Sequence, residues 1–566
     1  MIFGIISLLI TFTVPLLIIR WFIIRRSARR DFGDEIREIF QYLATLVLLV
    51  IVNTGLSGLI ANLLPAPDRL VTDENLMARN TAFIVVGAPL LLLITRWNRK
   101  SLSPNKDEND GFALQLYFVI APITALIITS VNAYQFVMTS LTDKSVDGQG
   151  LATTVIWALT LALHYRLARR IFTTERRQPS YLLACAISLV LVVVGLARII
   201  ASITTTLLPF SENTLVTSGP SELIRGATLL GIALVPWISY WFFGERKGEE
   251  SSLWSAYLLL IGIFAPLVTM LVGASVIFYQ LLIWYFGDPR ESSFWVHLSD
   301  VPAATGALIS AGAAFAYHQV TLRIAHHEKR SEVSRIYEYL LAAGGLATTA
   351  IAVSMGLVSI VESFTSQVQL LGSSATNTAL LALTLFLVGL PLWLAFWRRI
   401  TLRVRSNPDS ELRSPTRRVY LILVLGISGI GAIAALLTVV VRFFEGIFNS
   451  DLGTATFREL AYPLSILITT ALVASYHFNI FRHDRARAPK AADGLKYLLL
   501  IGPQDAQLKR ILERETGARI DFVRLADGFE GSWSQERVRS LIASNAHPEL
   551  ALIHDSSEYK VIPIQR

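Results

Sequence analysis

Six apolar hairpins follow one another along this chain and alternate between two types. In one type the second helix ends on a tryptophan, and in the other it ends on a histidine. The tryptophans are Trp97, Trp241 and Trp397, and the histidines are His164, His318 and His477. Successive tryptophans are 144 and 156 residues apart, and successive histidines are 154 and 159 residues apart. A recurring period indicates that one supersecondary unit has been copied. The unit here is a pair of hairpins, present three times.

The helices of these hairpins are long and apolar enough to cross a membrane. The 566 residues are 53% hydrophobic and 16% charged, whereas soluble domains carry about 25% charged residues. A helix crosses the hydrocarbon core with about 20 residues, and lipid offers no partner for an unpaired backbone amide, so these segments must be helices. The sequence predicts thirteen spans, near 2–24, 38–64, 81–97, 113–137, 151–168, 180–208, 224–243, 254–286, 303–321, 336–364, 377–397, 418–448 and 460–481.

The predicted fold class is therefore an all-α polytopic membrane protein with about thirteen transmembrane helices in repeated hairpins, plus a small C-terminal α/β domain. After the last span, alternating apolar runs and turns predict the order β-α-β-α-β-β, with Asp505 as the N-cap of the first helix. The predicted divisions are a retained anchor helix at 1–30, hairpin pair 1 at 31–175, hairpin pair 2 at 176–330, hairpin pair 3 at 331–483, a linker at 484–493 and a cytosolic domain at 494–566.

The basic residues are divided unequally between the two sides of the membrane. Loops after odd-numbered spans, together with the span ends beside them, carry 32 Lys and Arg, and the opposite loops and span ends carry seven. Basic loops stay in the cytoplasm, so we expect the N-terminus outside and the C-terminal domain in the cytoplasm, at the inner (plasma) membrane. The charges lie along a membrane face, so the expected partner is the lipid bilayer and not nucleic acid.

Charges at membrane depth need partners and are candidate functional residues. Arg198 is the deepest arginine. Arg442 and Glu445 are three residues apart and can pair on one helix face. Three further arginines lie near the start of descending helices at comparable places, and they are Arg79, Arg225 and Arg458. They either form a binding ring for an anion or satisfy nearby carboxylates. The candidates are Arg198, Arg79, Arg225, Arg442, Glu445, Arg458, Glu459 and Glu362.

The aligned histidines His164, His318 and His477 are also candidates, with two explanations. Imidazole titrates near neutral pH and could relay protons or sense pH. Alternatively, amphipathic residues at helix ends lie at the lipid–water interface for physical reasons alone. The aligned tryptophans are predicted to lie in such an interfacial belt.

The sequence contains no nucleophile–base pair, metal-ligand cluster or phosphate-binding loop, and its one cysteine is Cys185. We therefore expect no catalytic residue, cofactor, metal or enzyme activity. Two functions remain. The first is a scaffold or sensor that presents residues 494–566 to a cytosolic protein partner. The second is a transporter or channel with a polar path lined by intramembrane charges that include Arg198.

The fifth hairpin carries a recognisable combination of motifs. It opens on Arg335-Ile336-Tyr337-Glu338-Tyr339, continues through Gly356-Leu357, and closes on Pro391-Leu392-Trp393 and Trp397-Arg398-Arg399. In these motifs the chain resembles a bacterial membrane protein family, the domain of unknown function 5671. The resemblance is clearest over residues 333–482, weaker upstream and absent from the tail. It implies repeated two-helix membrane hairpins and brings no activity or site residue with it.

The orientation gives the first testable prediction. In a Cys185→Ala background, Gln565→Cys should react with a membrane-impermeant maleimide only after the cells are permeabilised. Labelling in sealed cells would contradict the cytoplasmic placement. A cysteine at Asp68, in a loop predicted to be external, is the positive control.

Overall fold

Long helices make up most of the protein. A computed structural model describes residues 32–64, 74–100, 102–104, 106, 109, 111–142, 146–208, 221–245, 251–289, 291–325, 332–365, 374–412, 414–449, 453–487, 495–523, 532–545, 547–555 and 558–564. These residues form two compact units. One contains the described residues of Met1–Leu402 and Thr416–Tyr476, and the other contains those of Arg403–Pro415 and His477–Arg566.

Each hairpin pair is built from four long helices. Pair 1 has α1 (Phe32–Leu63), α2 (Glu74–Lys100), α3 (Phe112–Thr142) and α4 (Gly148–Ile171). Pair 2 has α5 (Thr174–Leu207), α6 (Glu222–Tyr240), α7 (Ser252–Phe286), the short α8 (Phe294–His297) and α9 (Val301–Ala325). Pair 3 has α10 (Glu332–Thr365), α11 (Ala375–Ser406), the short α12 (Pro408–Leu412), α13 (Pro415–Phe448) and α14 (Thr454–Arg487).

The helices confirm the predicted fold class. Twelve of the thirteen predicted spans coincide with long helices, and the first, at 2–24, lies outside the described residues. Eleven helices of the described chain have the length and hydropathy to cross a membrane, and α9 is the predicted span that falls outside that group. In pair 3, α11 and α14 continue past the predicted ends of their spans to Ser406 and Arg487. The basic residues expected in loops there extend the helices instead.

Glycines bring the two helices of a hairpin into backbone contact. A Cβ atom on Gly195 of α5 would lie 2.7 Å from the amide nitrogen of Leu230, and one on Gly226 of α6 would lie 2.8 Å from the carbonyl oxygen of Gly195. In pair 3, a Cβ on Gly345 of α10 would lie 3.0 Å from the carbonyl oxygen of Gly389. Small residues allow membrane helices to approach this closely. The distances leave no room for any larger side chain.

Hairpin pair 2 differs from its neighbours by two π-helical segments. One, Trp241–Glu245, continues α6, and the other, Leu258–Phe264, lies inside α7. Pro266 comes just after the second segment. Proline lacks an amide hydrogen and its ring crowds the carbonyl four residues earlier, so the preceding turn widens.

The interior of the first unit contains a large apolar and aromatic cluster alongside buried polar side chains such as Asn53, Thr160 and Gln178. One continuous cluster joins pairs 1 and 2 and reaches Leu341 of α10. Its fully buried members include Phe172, Tyr181, Cys185, Trp241, Leu258 and Ile263.

The C-terminal tail forms a four-stranded sheet with two helices, in the predicted order. The elements are β1 (Tyr497–Ile501), α15 (Ala506–Thr516), β2 (Arg519–Val523), α16 (Gln535–Ala543), β3 (Glu549–Asp555) and β4 (Glu558–Pro563). The strand order is β2-β1-β3-β4, with β1 parallel to both β2 and β3 and with β4 antiparallel to β3. The carboxylate of Asp505 accepts hydrogen bonds of 2.9 Å from the amides of Gln507 and Leu508, which confirms it as the N-cap.

The helix contact at Gly195 gives the second prediction. Gly195→Ala should destabilise the protein by about 1–3 kcal/mol, because the new methyl group overlaps the backbone of α6. The matched control is Gly231→Ala in α6, where nothing lies within 4 Å of the new Cβ and where alanine favours the helix by up to about 1 kcal/mol. Thermal unfolding of the purified variants in detergent measures both. Equal melting temperatures would show that the contact is not close in the folded protein.

Candidate functional site at the histidine ends of the hairpins

A tyrosine occupies the same position in the first helix of every even-numbered hairpin. It is the sixth residue of its helix in each case, Tyr117 in α3, Tyr257 in α7 and Tyr420 in α13. The chain then turns at the hairpin tip and returns through a second helix that carries the aligned histidine seven to ten residues before its end. This antiparallel path brings tyrosine and histidine to the same end of the hairpin.

In pair 1 the tyrosine and the histidine are hydrogen-bonded. Nδ1 of His164 lies 2.8 Å from the carbonyl oxygen of Thr160. A carbonyl only accepts, so Nδ1 carries the proton and Nε2 is an acceptor. The hydroxyl of Tyr117 donates to that Nε2 at 3.0 Å. The imidazole is buried, and both of its nitrogens are therefore satisfied as a neutral ring.

In pair 2 the imidazole of His318 is packed by rings instead. Its Nδ1 lies 2.8 Å from the carbonyl oxygen of Ala314, and its ring centroid lies 5.8 Å from that of Trp241 and 5.9 Å from that of Tyr257. A Cβ on Gly262 would lie 2.6 Å from the imidazole. Gly262 belongs to the π-helical segment of α7, so the widened turn and the missing side chain together make room for the histidine.

Two of the aligned tryptophans donate hydrogen bonds to the residue before the aligned histidine. The indole nitrogen of Trp241 lies 2.7 Å from the hydroxyl of Tyr317, and that of Trp397 lies 2.6 Å from the hydroxyl of Tyr476. Both tryptophans are buried. These contacts tie the odd hairpin to the even hairpin within pairs 2 and 3.

The predicted interfacial belt is therefore wrong for Trp241 and Trp397. An interfacial position stays a prediction for Trp97, which is 56% exposed. Leu163 precedes the histidine of pair 1, where pairs 2 and 3 have tyrosine, and it offers no acceptor to the indole. The tyrosine before His318 and His477 was the sequence signal that these tryptophans have buried partners.

All three aligned histidines are buried, at 3%, 0% and 1% exposure for His164, His318 and His477. Placement at the lipid–water interface is thus wrong for them. Proton relay or pH sensing by these histidines stays a prediction.

The residue after the histidine contacts the following hairpin pair. Tyr165 stacks on Tyr181 of α5, with ring centroids 5.2 Å apart. Gln319 donates a hydrogen bond of 2.8 Å to the hydroxyl of Tyr337 of α10. The sequence equivalent in pair 3, Phe478, is 53% exposed. We call the contacts between consecutive pairs the joints.

The intramembrane arginine Arg198 is engaged with a glutamate. Its Nη1 lies 2.7 Å from Oε2 of Glu222, the first residue of α6, and Nη1 of Arg225 lies 3.6 Å from the other carboxylate oxygen. The Arg198 side chain is 43% exposed. The arginine therefore reaches from α5 to the start of α6 on the protein surface, where a carboxylate is also favoured by the helix dipole.

Pair 3 repeats this arrangement. Arg442 of α13 lies 2.9 Å from Glu445, as its spacing predicted, and 3.7 Å from Glu459 of α14. The guanidinium of Arg458 donates to the carbonyl oxygen of Thr365, the last residue of α10, at 2.7 Å.

The predicted anion ring is not supported by these contacts. Arg225 and Arg458 have partners within their own hairpin pairs, and Arg79 lies over the ring of Phe83 at 5.9 Å. Glu362, near the end of α10, is half-buried. The alternative prediction, that the arginines satisfy local groups, fits the contacts.

Sequence reasoning missed a buried polar contact between α10 and α13. Arg417 lies in a basic segment of the sequence, yet its side chain is buried and donates to the hydroxyl of Tyr339 at 3.0 Å. The neighbouring Thr416 donates to Glu332 at 2.7 Å, and Glu332 also pairs with Arg335. The signal was available, because Arg417 stands one helical turn before the repeated Tyr420.

No group of three or more His, Cys, Asp or Glu side chains gathers as around a metal ion within the part of the chain that the structure describes. In the tail, outside the membrane helices, the carboxylate of Glu515 holds Arg539 and raises the pKa of its guanidinium.

A family model described as a domain of unknown function, DUF5671, matches residues 38–163 and 335–472. Over these two regions the chain is similar to that family. The first region covers α1 to α4 and the second covers α10 to α14, so each matched region corresponds to one hairpin pair, and each match stops just before the aligned histidine. No curated protein and no solved structure matches the chain.

The histidine of hairpin pair 1 gives the third prediction. Tyr117→Phe should destabilise the protein by about 1–3 kcal/mol, because it leaves the buried Nε2 of His164 without a donor. The matched control is Tyr240→Phe in α6, since the buried hydroxyl of Tyr240 has no hydrogen-bond partner among the described residues. Its loss should be neutral or stabilising. Chemical or thermal unfolding of both variants measures the difference, and a larger loss for Tyr240→Phe would exclude this hydrogen bond as a stabilising contact.

Proposed function

We propose that this multi-pass membrane protein is a scaffold or sensor that presents its C-terminal α/β domain, residues 494–566, to a cytosolic protein partner. The membrane is the inner (plasma) membrane, with the N-terminus outside. The observation that carries the proposal is the large buried cluster of aliphatic and aromatic side chains in pairs 1 and 2, together with the pairing of Arg198 and Arg442 with glutamates at the surface.

The interior argues against a polar path. The buried cluster of pairs 1 and 2 consists of aliphatic and aromatic side chains. A transport path needs polar groups that face a cavity. Arg198, the residue that such a path was predicted to contain, instead extends to the surface and pairs with Glu222. Arg198 and Arg442, which suggested transport from the sequence, thus form ion pairs between the two helices of a hairpin.

The tail supports presentation to a partner because it has its own core and open strand edges. Leu498, Leu500, Leu550 and Leu552 are fully buried between the strands and helices of the tail. The sheet ends on β2 at one edge and on β4 at the other. Val523 of β2 and Ile562 of β4 remain exposed. Unpaired strand edges can accept an extended segment from another protein.

The fourth prediction separates this function from transport. Full-length protein in liposomes should pass protons, Na⁺, K⁺ and Cl⁻ no faster than protein-free liposomes do. Arg198→Ala should change neither this rate nor folding beyond the loss of one surface ion pair. An ion flux that Arg198→Ala abolishes, while the variant stays monodisperse, would establish transport and overturn the proposal.

Photo-crosslinking in native membranes tests the partner. A photoreactive amino acid at Val523 or Ile562 of the full chain should give a discrete adduct with a cytosolic protein. The same probe at Leu159, an exposed residue of α4, is the control and should give none of that adduct. Failure of both tail positions to capture a protein would count against presentation.

A further inference from the structure

At each joint between consecutive hairpin pairs, equivalent positions of the two facing helices are buried. In each joint, the first helix of an even hairpin packs on the first helix of the next pair, α3 on α5 and α7 on α10. At the second joint, a Cβ on Gly344 of α10 would lie 3.5 Å from Leu267 and 3.7 Å from Phe264 of α7. These two residues of α7 and this position of α10 therefore face each other directly.

The last pair has no following pair, and it exposes the corresponding face. Phe264 and Leu267 of α7 follow the extra residue of the π-helical segment. Counted from the repeated tyrosine with that residue left out, they correspond to Ile123 and Leu126 of α3 and to Gly426 and Gly429 of α13. Ile123, Leu126 and Leu267 are 5%, 1% and 6% exposed, whereas the two glycines have nothing within 4 Å of an added Cβ and the neighbouring Ile427 and Ile430 are both 71% exposed. The face of α7 that packs on the next pair therefore has an equivalent on α13. That face of α13 has no partner among the described residues.

The first pair exposes the other half of the joint. Counting from Tyr42, Tyr181 and Tyr339, the position of Gly344 corresponds to Ala186 in α5 and to Val47 in α1. Ala186 is 4% exposed and Val47 is 49% exposed. Phe40 and Leu43 continue the exposed face of α1 at helical spacing, at 65% and 51%.

The shapes of the two exposed faces complement each other. At the internal joint the glycine is on α10 and the large side chains are on α7. At the ends, the branched Val47 is on α1, and α13 has two glycines, Gly426 and Gly429, with nothing within 4 Å of an added Cβ. Glycines in a membrane helix leave a groove that another helix can enter closely. A second chain of this protein supplies such a helix.

We propose that copies of this protein associate head to tail in the membrane, with the α13 face of one copy (Ile427, Ile430 and the groove at Gly426 and Gly429) packed on the α1 face of the next (Phe40, Leu43 and Val47). The contact continues, between chains, the joint that already connects the pairs within one chain. Val47 and Ile430 are each the sixteenth residue of their helices, so the two positions are equally far from the helix starts. The association is heterologous, and it generates a ring or an open row of copies.

Cysteine crosslinking between differently tagged chains tests the proposal. Both chains carry Cys185→Ala, which removes the one native cysteine. One chain carries Val47→Cys and the other Ile430→Cys, and the two are co-expressed and oxidised in native membranes. We expect a disulfide-linked dimer that contains both tags, and no dimer when either chain is expressed alone. Leu159→Cys in place of Val47→Cys is the control and should give no mixed dimer.

A second pair of variants separates assembly from folding. Gly429→Leu has open space in the single chain, so it should leave the protein folded and lower the mixed crosslink by about tenfold through overpacking of the interface. Gly231→Leu also has open space but lies on α6, away from the proposed face, and should leave the crosslink unchanged.

Two results would overturn the proposal. Efficient dimerisation of the Ile430→Cys chain alone would show a symmetric contact of α13 with α13. A mixed dimer no more abundant than the Leu159→Cys control would show that lipid alone covers both faces. Neither result bears on ion flux or on the partner of the tail, so the test is independent of the proposed function.

Discussion

Close approach of helix backbones is the constraint on which the rest of this structure depends. Apolar helices gain little by leaving lipid for one another, because lipid tails are as apolar as leucine. Association must come from dense packing and from polar contacts that lipid cannot replace. Gly195 on Gly226 in pair 2 and Gly345 on Gly389 in pair 3 supply the packing. The two helices of a hairpin are therefore in closest contact at glycines, which have no side chain.

The polar contacts are placed mainly at the two ends of the helices. At the hairpin tips, Arg198 and Arg442 reach across to glutamates of the returning helix. At the opposite ends, tryptophan–tyrosine hydrogen bonds connect the two hairpins of pairs 2 and 3, and a tyrosine–histidine hydrogen bond joins the two helices of the even hairpin in pair 1. A buried hydrogen bond is favoured in lipid because its groups have no water to return to. The same residues that looked like functional candidates thus determine which helices are neighbours.

The three hairpin pairs differ in how they accommodate the aligned histidine. Pair 1 satisfies its histidine with a tyrosine hydroxyl, whereas pair 2 packs rings around it and opens a π-helical turn for it at Gly262. The family model matches pairs 1 and 3 but not pair 2. Pair 2 is also the pair with joints on both sides, and its α5 and α7 carry the larger share of the buried core. Because pair 2 packs against a hairpin pair on each side, its sequence must satisfy contacts that pairs 1 and 3 make on one side only.

The sequence by itself determined the membrane helices, the order of the tail elements and the Asp505 cap, because each depends on residues close together in the chain. Hydropathy over some twenty residues specifies a span, and strand or helix periodicity specifies the tail elements. Local patterns also predicted the pair Arg442 and Glu445. Only the tertiary structure decided where Trp241, Trp397 and Arg417 lie, since their partners are 76 to 79 residues away. An aromatic or basic residue at a helix end has the same local sequence pattern whether it faces lipid headgroups or a tyrosine from another hairpin. Which of the two it contacts depends on how helices from distant parts of the sequence pack together.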